Sequence, residues 1–246
     1  MEFTTESLLI GTLAAFCFGM SKTGVVGCGI FGVIIMVAAF GDQAKLSAGA
    51  VVPLLLAADL MAVHYYVRDC DWSKIRLLAI PVLIGMAVGG YILHIVDDRL
   101  FCIILGGFVL AMILFEQLRS YMQWNDFPHS KPFGWVMGVL GGSSTTIANA
   151  GGPVMIVYVS SLGFNKDKMM GTIAVFFFLV NIAKLPIVAS AGLITRETLL
   201  FDIYVLPGLI VGALIGRRIY LLIPEKWFMP MVTVMNVLAA LIMLAQ

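Results

Sequence analysis

Apolar residues run through this chain in blocks rather than in alternation with polar ones. The blocks are roughly Leu8 to Phe40, Leu46 to Val67, Leu77 to Val96, Leu100 to Leu118, Phe133 to Gly163, Met170 to Ala191, Leu199 to Gly216 and Trp227 to Ala245. Most are about 20 residues long, which is the length of a bilayer-crossing helix and far too long for strands. The pattern predicts an all-α polytopic membrane protein. Six blocks fit single crossings, while the first and fifth are longer and interrupted.

Composition sharpens this picture. Of 246 residues, 61% are hydrophobic and only 12% charged, with a mean hydropathy of +1.03; a soluble domain carries about a quarter charged residues. The net charge of +1 offers no basic surface for nucleic acid. The acidic start, Met1 to Glu6, lacks the positive region of a secretory signal, so no cleaved peptide is expected. Cys17, Cys28, Cys70 and Cys102 have no CxxC spacing, so neither a disulfide framework nor a zinc site is expected, and no cofactor is implied.

The second half echoes the first. A shift of 123 sets Gly11 on Gly134, Gly29 on Gly152 and Lys45 on Lys168; a shift of 126 sets Pro81 on Pro207, Ile84 on Ile210 and Gly90 on Gly216. The expected organisation is a first repeat over 1–118, a polar connector over 119–132 and a second repeat over 133–246. Internal repeats of this kind are common in secondary transporters.

Each interrupted block has an apolar arm, a tip of small and polar residues, and a second apolar arm. The first tip runs from Gly19 to Gly29 and holds Ser21, Lys22, Thr23, Gly24 and Gly27; the second runs from Gly141 to Pro153 and holds Ser143, Ser144, Thr145, Thr146, Asn149, Gly151 and Gly152. Glycine and proline disfavour a continuous helix, and broken backbone at membrane depth is tolerated where it lines a protein-enclosed cavity. Glycine also serves close helix packing, the role expected of Gly85, Gly89, Gly90, Gly208, Gly212 and Gly216. Packing alone does not call for Lys22, Thr145, Thr146 or Asn149.

Charge gives a topology. If all eight blocks cross, Lys and Arg divide almost evenly between the two sides. If the first and fifth are re-entrant hairpins, one side carries only Lys45, Arg99 and Arg196, and the rest fall on the other. Positive residues gather on the cytoplasmic side, so the count favours hairpins with both termini outside. Three crossings per repeat then invert the second repeat and bring the tips together. The expected fold is therefore two inverted repeats, each with a glycine-rich re-entrant or broken segment plus three transmembrane helices.

Ionisable residues inside spans mark function by default. Lys22, Asp59 and Lys184 lie deep in blocks; His64, Glu116 and Asp202 lie nearer block ends, where reaching the interface is the ordinary reading. Helices starting near Gly29 and Gly152 would offer free N–H groups and positive dipole ends to an oxyanion, with Lys22 and Lys184 adding charge. Ser143, Ser144, Thr145, Thr146 and Asn149 would donate hydrogen bonds. Two plainer readings stand beside this: an ion pair between Lys22 and Asp59, and Lys184 capping carbonyls of another segment. Asp59 and His64 are candidates for carrying protons. Cys28 is expected only to fill the tip.

The chain resembles the TauE/SafE family of sulfite and organosulfonate transporters over nearly its whole length. The resemblance rests on the two glycine-rich tips, on Asn181 with Lys184, and on the connector Tyr66-Val67-Arg68 with Asp71-Trp72. The spans with Pro81, Gly85 and Gly90 and with Pro207 and Gly216 also carry it. Cys28 interrupts the expected glycine run, and Lys22 is a departure. The resemblance implies a plasma-membrane transporter of sulfite, sulfoacetate, taurine-derived sulfonates or related small acids. From the residues themselves, Ser21, Lys22, Thr23, Gly24, Gly27, Gly29, Gly151, Gly152, Asn181 and Lys184 join the donors of the second tip as expected substrate-binding positions. The expected partners are the bilayer, a small anion and a proton or ion gradient. An anion channel and a carrier of another small organic acid are the alternatives. No HExxH, P-loop or nucleophile elbow argues for an enzyme or for direct ATP drive.

Overall fold

The computed structural model describes residues 3–97, 130–149 and 151–228, with isolated positions within 99–114 and 230–234. Most of the fourth block, the connector and the eighth block lie outside the described residues.

All regular structure among the described residues is helical. The helices are α1 (Thr5–Thr23), α2 (Cys28–Phe40), α3 (Ala44–Tyr66), α4 (Trp72–Ile95), α5 (Lys131–Ala148), α6 (Gly152–Ser161), α7 (Lys166–Ser190) and α8 (Arg196–Leu222). Five of them start on polar caps that accept from the first turn: Thr4, Asp71, Ser130, Asn165 and Thr195, the last in a capping box with Thr198. The helices that follow the two tips start differently. Gly27 and Gly151 precede α2 and α6 and give no side-chain cap, and at the start of α2 the Cys28 and Ile30 N–H groups donate to the Val25 and Gly27 carbonyls.

Four stretches are long and apolar enough to cross a membrane: Cys28–Asp69, Trp72–Ile95, Lys166–Ser190 and Arg196–Leu222. Their outer faces are apolar, with Leu60, Ile80, Leu83, Leu179, Ile203 and Val211 exposed, while Asp59, Asn181 and Lys184 are fully buried. Water would penalise such a surface; lipid does not.

The interrupted blocks fold back as antiparallel helical hairpins. In the first, Gly29 lies against Ser21, and Gly32 against Phe18 and the Ala14 carbonyl. In the second, Gly141 lies against Val154, and Gly134 approaches the Tyr158 hydroxyl. The second arms have 13 and 10 residues, about 20 and 15 Å of helix, well short of a hydrocarbon core of about 30 Å.

The first arm of each hairpin packs in parallel on a long helix of the other half, α1 on α8 and α5 on α4, and the two interfaces use matching positions. A Cβ on Gly212 would lie 2.1 Å from the Phe16 carbonyl, and one on Gly85 would lie 2.1 Å from that of Val139. Gly216 faces the Met20 carbonyl and Gly89 that of Ser143, at 2.6 and 2.7 Å. Gly19 faces Leu209 and Ala213 as Gly142 faces Val82 and Met86. The matching offset is 123 for the arms and 127 for the long helices. The packing therefore sets Gly89, not Gly90, opposite Gly216 in the scheme, and Gly90 meets Ile187 instead.

The molecule has two distinct ends. At one, the Phe3, Phe40 and Phe201 rings meet and Lys45 donates to the Val96 carbonyl at 2.6 Å. At the other, Tyr66 donates to the Thr23 carbonyl at 2.5 Å, and Lys166 donates to the Tyr220 and Ile223 carbonyls at 2.8 Å each. Thus α3 runs parallel to α1, and α4, α5 and α7 run against them. Lys45, Arg99 and Arg196 belong to the first end, and Arg68, Lys74, Arg76, Lys131, Lys166, Lys168, Arg217, Arg218 and Lys226 to the second.

Candidate functional site

Helix persists further into both tips than glycine content predicts. In the first, only Gly24 to Gly27 is irregular, and Gly27 sits at φ 101°, a conformation that favours glycine. In the second, α5 continues through Ala148 and stops at Asn149, whose φ of 53° is left-handed. Three hydroxyls of that stretch are satisfied within the helix. Ser143 donates to the Val139 carbonyl, Ser144 to that of Leu140 and Thr146 to that of Gly142. Such back-bonding lets serine and threonine stay helical.

The two tips and the middle of α7 enclose a cavity of about 70 Å³, room for a few waters or a small oxyanion. Ser21, Lys22, Gly27 and Gly29 line it from the first hairpin, Thr145, Asn149 and Gly152 from the second, and Asn181 from α7. Phe18, Leu55 and Phe177 supply apolar wall. Other expected site residues lie behind this lining. Thr23 donates to the Gly19 and Ala213 carbonyls, Gly24 is pressed onto the Gly216 carbonyl, and Gly151 packs on Thr145 and Phe177. Ser143, Ser144 and Thr146 are not in the lining. His64 is exposed and stacks edge-on against Tyr65, away from the cavity.

A short chain of polar contacts ties these elements together. Lys22 Nζ lies 2.7 Å from Asp59 Oδ1 and 4.1 Å from the centre of the Phe177 ring. The Asp59 contact is an ion pair without hydrogen-bond alignment, and the other oxygen, Oδ2, accepts from Asn181 Nδ2 at 2.6 Å. Asn181 Oδ1 is buried with no partner, an acceptor that a water or a bound donor can fill. Lys184 has no exposed surface; it donates to the Thr145 carbonyl at 3.0 Å and to Asn149 Oδ1 at 2.5 Å. Asn149 Nδ2 in turn donates to the Ala48 carbonyl at 2.9 Å. Both plainer readings of the lysines are therefore realised, and both lysines still belong to the cluster around the cavity.

Sequence reasoning missed two features. Phe177 beneath Lys22 sits in the run Phe176-Phe177-Phe178, which carries no sign of which ring faces inward. Asp202, expected to reach an interface, is instead 6% exposed with neither carboxylate oxygen partnered, because its face of α8 turns inward with Thr198 and Val205.

With this geometry in hand, comparison with known families is decisive: the family model described as Sulfite exporter TauE/SafE matches residues 8–243. The chain belongs to the TauE/SafE family. No curated protein and no solved structure matches it. Membership in a TauE/SafE exporter family, together with four stretches able to span a bilayer, makes this a multi-pass membrane protein of a transport family.

Proposed function

We propose that the protein is a secondary transporter that moves a small sulfur-containing anion, sulfite or an organosulfonate, across the membrane by alternating access. The observation that carries this reading is the convergence of both hairpin tips on one cavity beside Lys22, Lys184 and Asn181. The starts of α2 and α6, without side-chain caps, add positive dipole ends at the same place.

The two halves are read as inverted repeats with re-entrant hairpins. The opposed directions of α1 and α5, the short second arms and the matched glycine contacts support this. The positive-inside rule then puts the end with Lys45, Arg99 and Arg196 outside and the arginine- and lysine-rich end in the cytoplasm. In this scheme the cavity is the fixed point about which access alternates.

The test is flux of radiolabelled sulfite into proteoliposomes, with and without a proton gradient, challenged by taurine, sulfoacetate and sulfate. Saturable uptake that an organosulfonate blocks is the expected result. Unsaturable flux would point to a channel, and no flux would remove the substrate assignment.

A further inference from the structure

We propose that the site selects its substrate by valence, accepting monovalent oxyanions and rejecting divalent ones, and that Asp59 sets this rule. The inference rests on the anion-transport reading and adds the charge class of the ligand.

With Lys184 protonated, the charged groups around the cavity among the described residues do not cancel. Lys22 and Asp59 form one ion pair at 2.7 Å. Lys184 is left over. Its hydrogen-bond partners are the Thr145 carbonyl and the Asn149 amide oxygen, both neutral. The nearby charges acting on it are Lys22, which repels it, and Asp59, already paired with Lys22. Among the described residues, the other helices packed on α7 supply no counter-charge at this level. α6 carries no charged residue, α5 carries only Lys131 at its start, and α4 carries Lys74 and Arg76 in its first turns and His94 in its last.

A protonated Lys184 therefore leaves one uncompensated positive charge in a region without exposed surface, which is costly unless a partner arrives. The cavity lies immediately beyond Thr145 and Asn149, the two residues that hold the ammonium. A monovalent anion there brings the cluster to neutrality. A divalent anion exchanges one buried excess charge for another of opposite sign, after a larger loss of its own hydration. Sulfonates and hydrogensulfite satisfy the rule; sulfate and fully ionised sulfite do not. Volume cannot make this distinction, because sulfate and methanesulfonate are nearly the same size.

The experiment measures binding, so that it stands apart from transport. Purified full-length protein is titrated near neutral pH with methanesulfonate and with sulfate, followed by calorimetry and by ligand-induced thermal stabilisation. The unaltered protein is expected to favour methanesulfonate by at least about tenfold, the scale of one buried unit charge. In Asp59→Asn, which keeps an oxygen acceptor for Asn181 and adds one net positive charge, the ratio is expected to shift toward sulfate. In Lys184→Gln, which removes the leftover charge, methanesulfonate affinity is expected to fall by a similar factor. Equal or tighter binding of sulfate by the unaltered protein overturns the valence rule, as does binding of neither anion. Should methanesulfonate bind as expected while no sulfite flux is found, the transport reading fails and the valence rule stands. Should flux be saturable while both anions bind alike, the reverse holds.

Discussion

Lys184 donates to Asn149 Oδ1 at 2.5 Å, so the middle of α7 holds the left-handed residue that ends α5. Asn149 serves both as a backbone conformer and as a bridge to the Ala48 carbonyl. Replacing Asn149 by glycine keeps the first role and removes the second. Asn149→Gly is expected to lower stability by about 1–3 kcal/mol, because Lys184 loses an acceptor while buried. It is also expected to weaken anion binding. Thermal unfolding in detergent and methanesulfonate titration check both; an unchanged protein would show that the bridge is incidental.

Lys22→Met leaves Asp59 buried beside Asn181 with no cation. Removal of one partner from such a pair costs about 3–5 kcal/mol. The double change Lys22→Met with Asp59→Asn is expected to restore much of this, because neither member of the pair is then left charged without the other. A thermal-unfolding cycle over the three variants tests the coupling, and purely additive losses would contradict it.

Gly85 and Gly212 occupy equivalent places in the two parallel interfaces, each with a carbonyl 2.1 Å from where a Cβ would stand. Alanine at either is expected to force the helix pair apart and reduce the yield of folded protein to a similar degree. Gly107→Ala, with nothing within 4 Å, is the control and is expected to be tolerated. Monodispersity on size exclusion reads the outcome.

Asp71 joins two helices outside the spans. It caps α4 by accepting from Ser73 and Lys74, and its other oxygen lies 2.8 Å from Lys168 on α7. The Lys168 ammonium, with the Ser73 hydroxyl, holds the Asp71 carboxyl down at about 2. A depressed carboxylate contributes stability that is present above its unfolded value near 4 and lost as pH falls through about 2. Asp71→Asn, which keeps a capping oxygen and loses the exposed ion pair to Lys168, is expected to cost at most about 1 kcal/mol at neutral pH. Its difference from the unaltered protein should shrink on acidification between about pH 4 and pH 2. A constant difference across that range would contradict the assignment.

Asp202 carries two buried oxygens without partners. Asp202→Leu, which keeps the branching at Cγ though it is larger, is expected to raise the unfolding temperature, since an apolar side chain removes the desolvation cost. A fall would mean that the carboxyl has a use in the native protein.

Much of the architecture was legible in the chain. Block length gave the four candidate spans among the described residues, and Lys45, Arg99 and Arg196 stand together at one end. The tips were legible only as regions. Ser143, Ser144 and Thr146 look like free donors in a sequence, but each can satisfy itself on the preceding turn, and nothing in residue type distinguishes that from ligand contact. Lys22 and Lys184 were legible as site residues, whereas the partner each would take depended on the register between α3, α5 and α7. That register is fixed by contacts such as Gly171 against the Tyr66 carbonyl, which no local pattern encodes.

The exchange of arms between the halves bears on how the protein is made. The first hairpin is made before the helix that receives it, Arg196–Leu222. Until that helix is present, Gly19 and Gly24 lack the Leu209, Ala213 and Gly216 backbone on which they pack in the folded chain. The second hairpin meets α4 already in place. Assembly is thus asymmetric in time although matched in contacts.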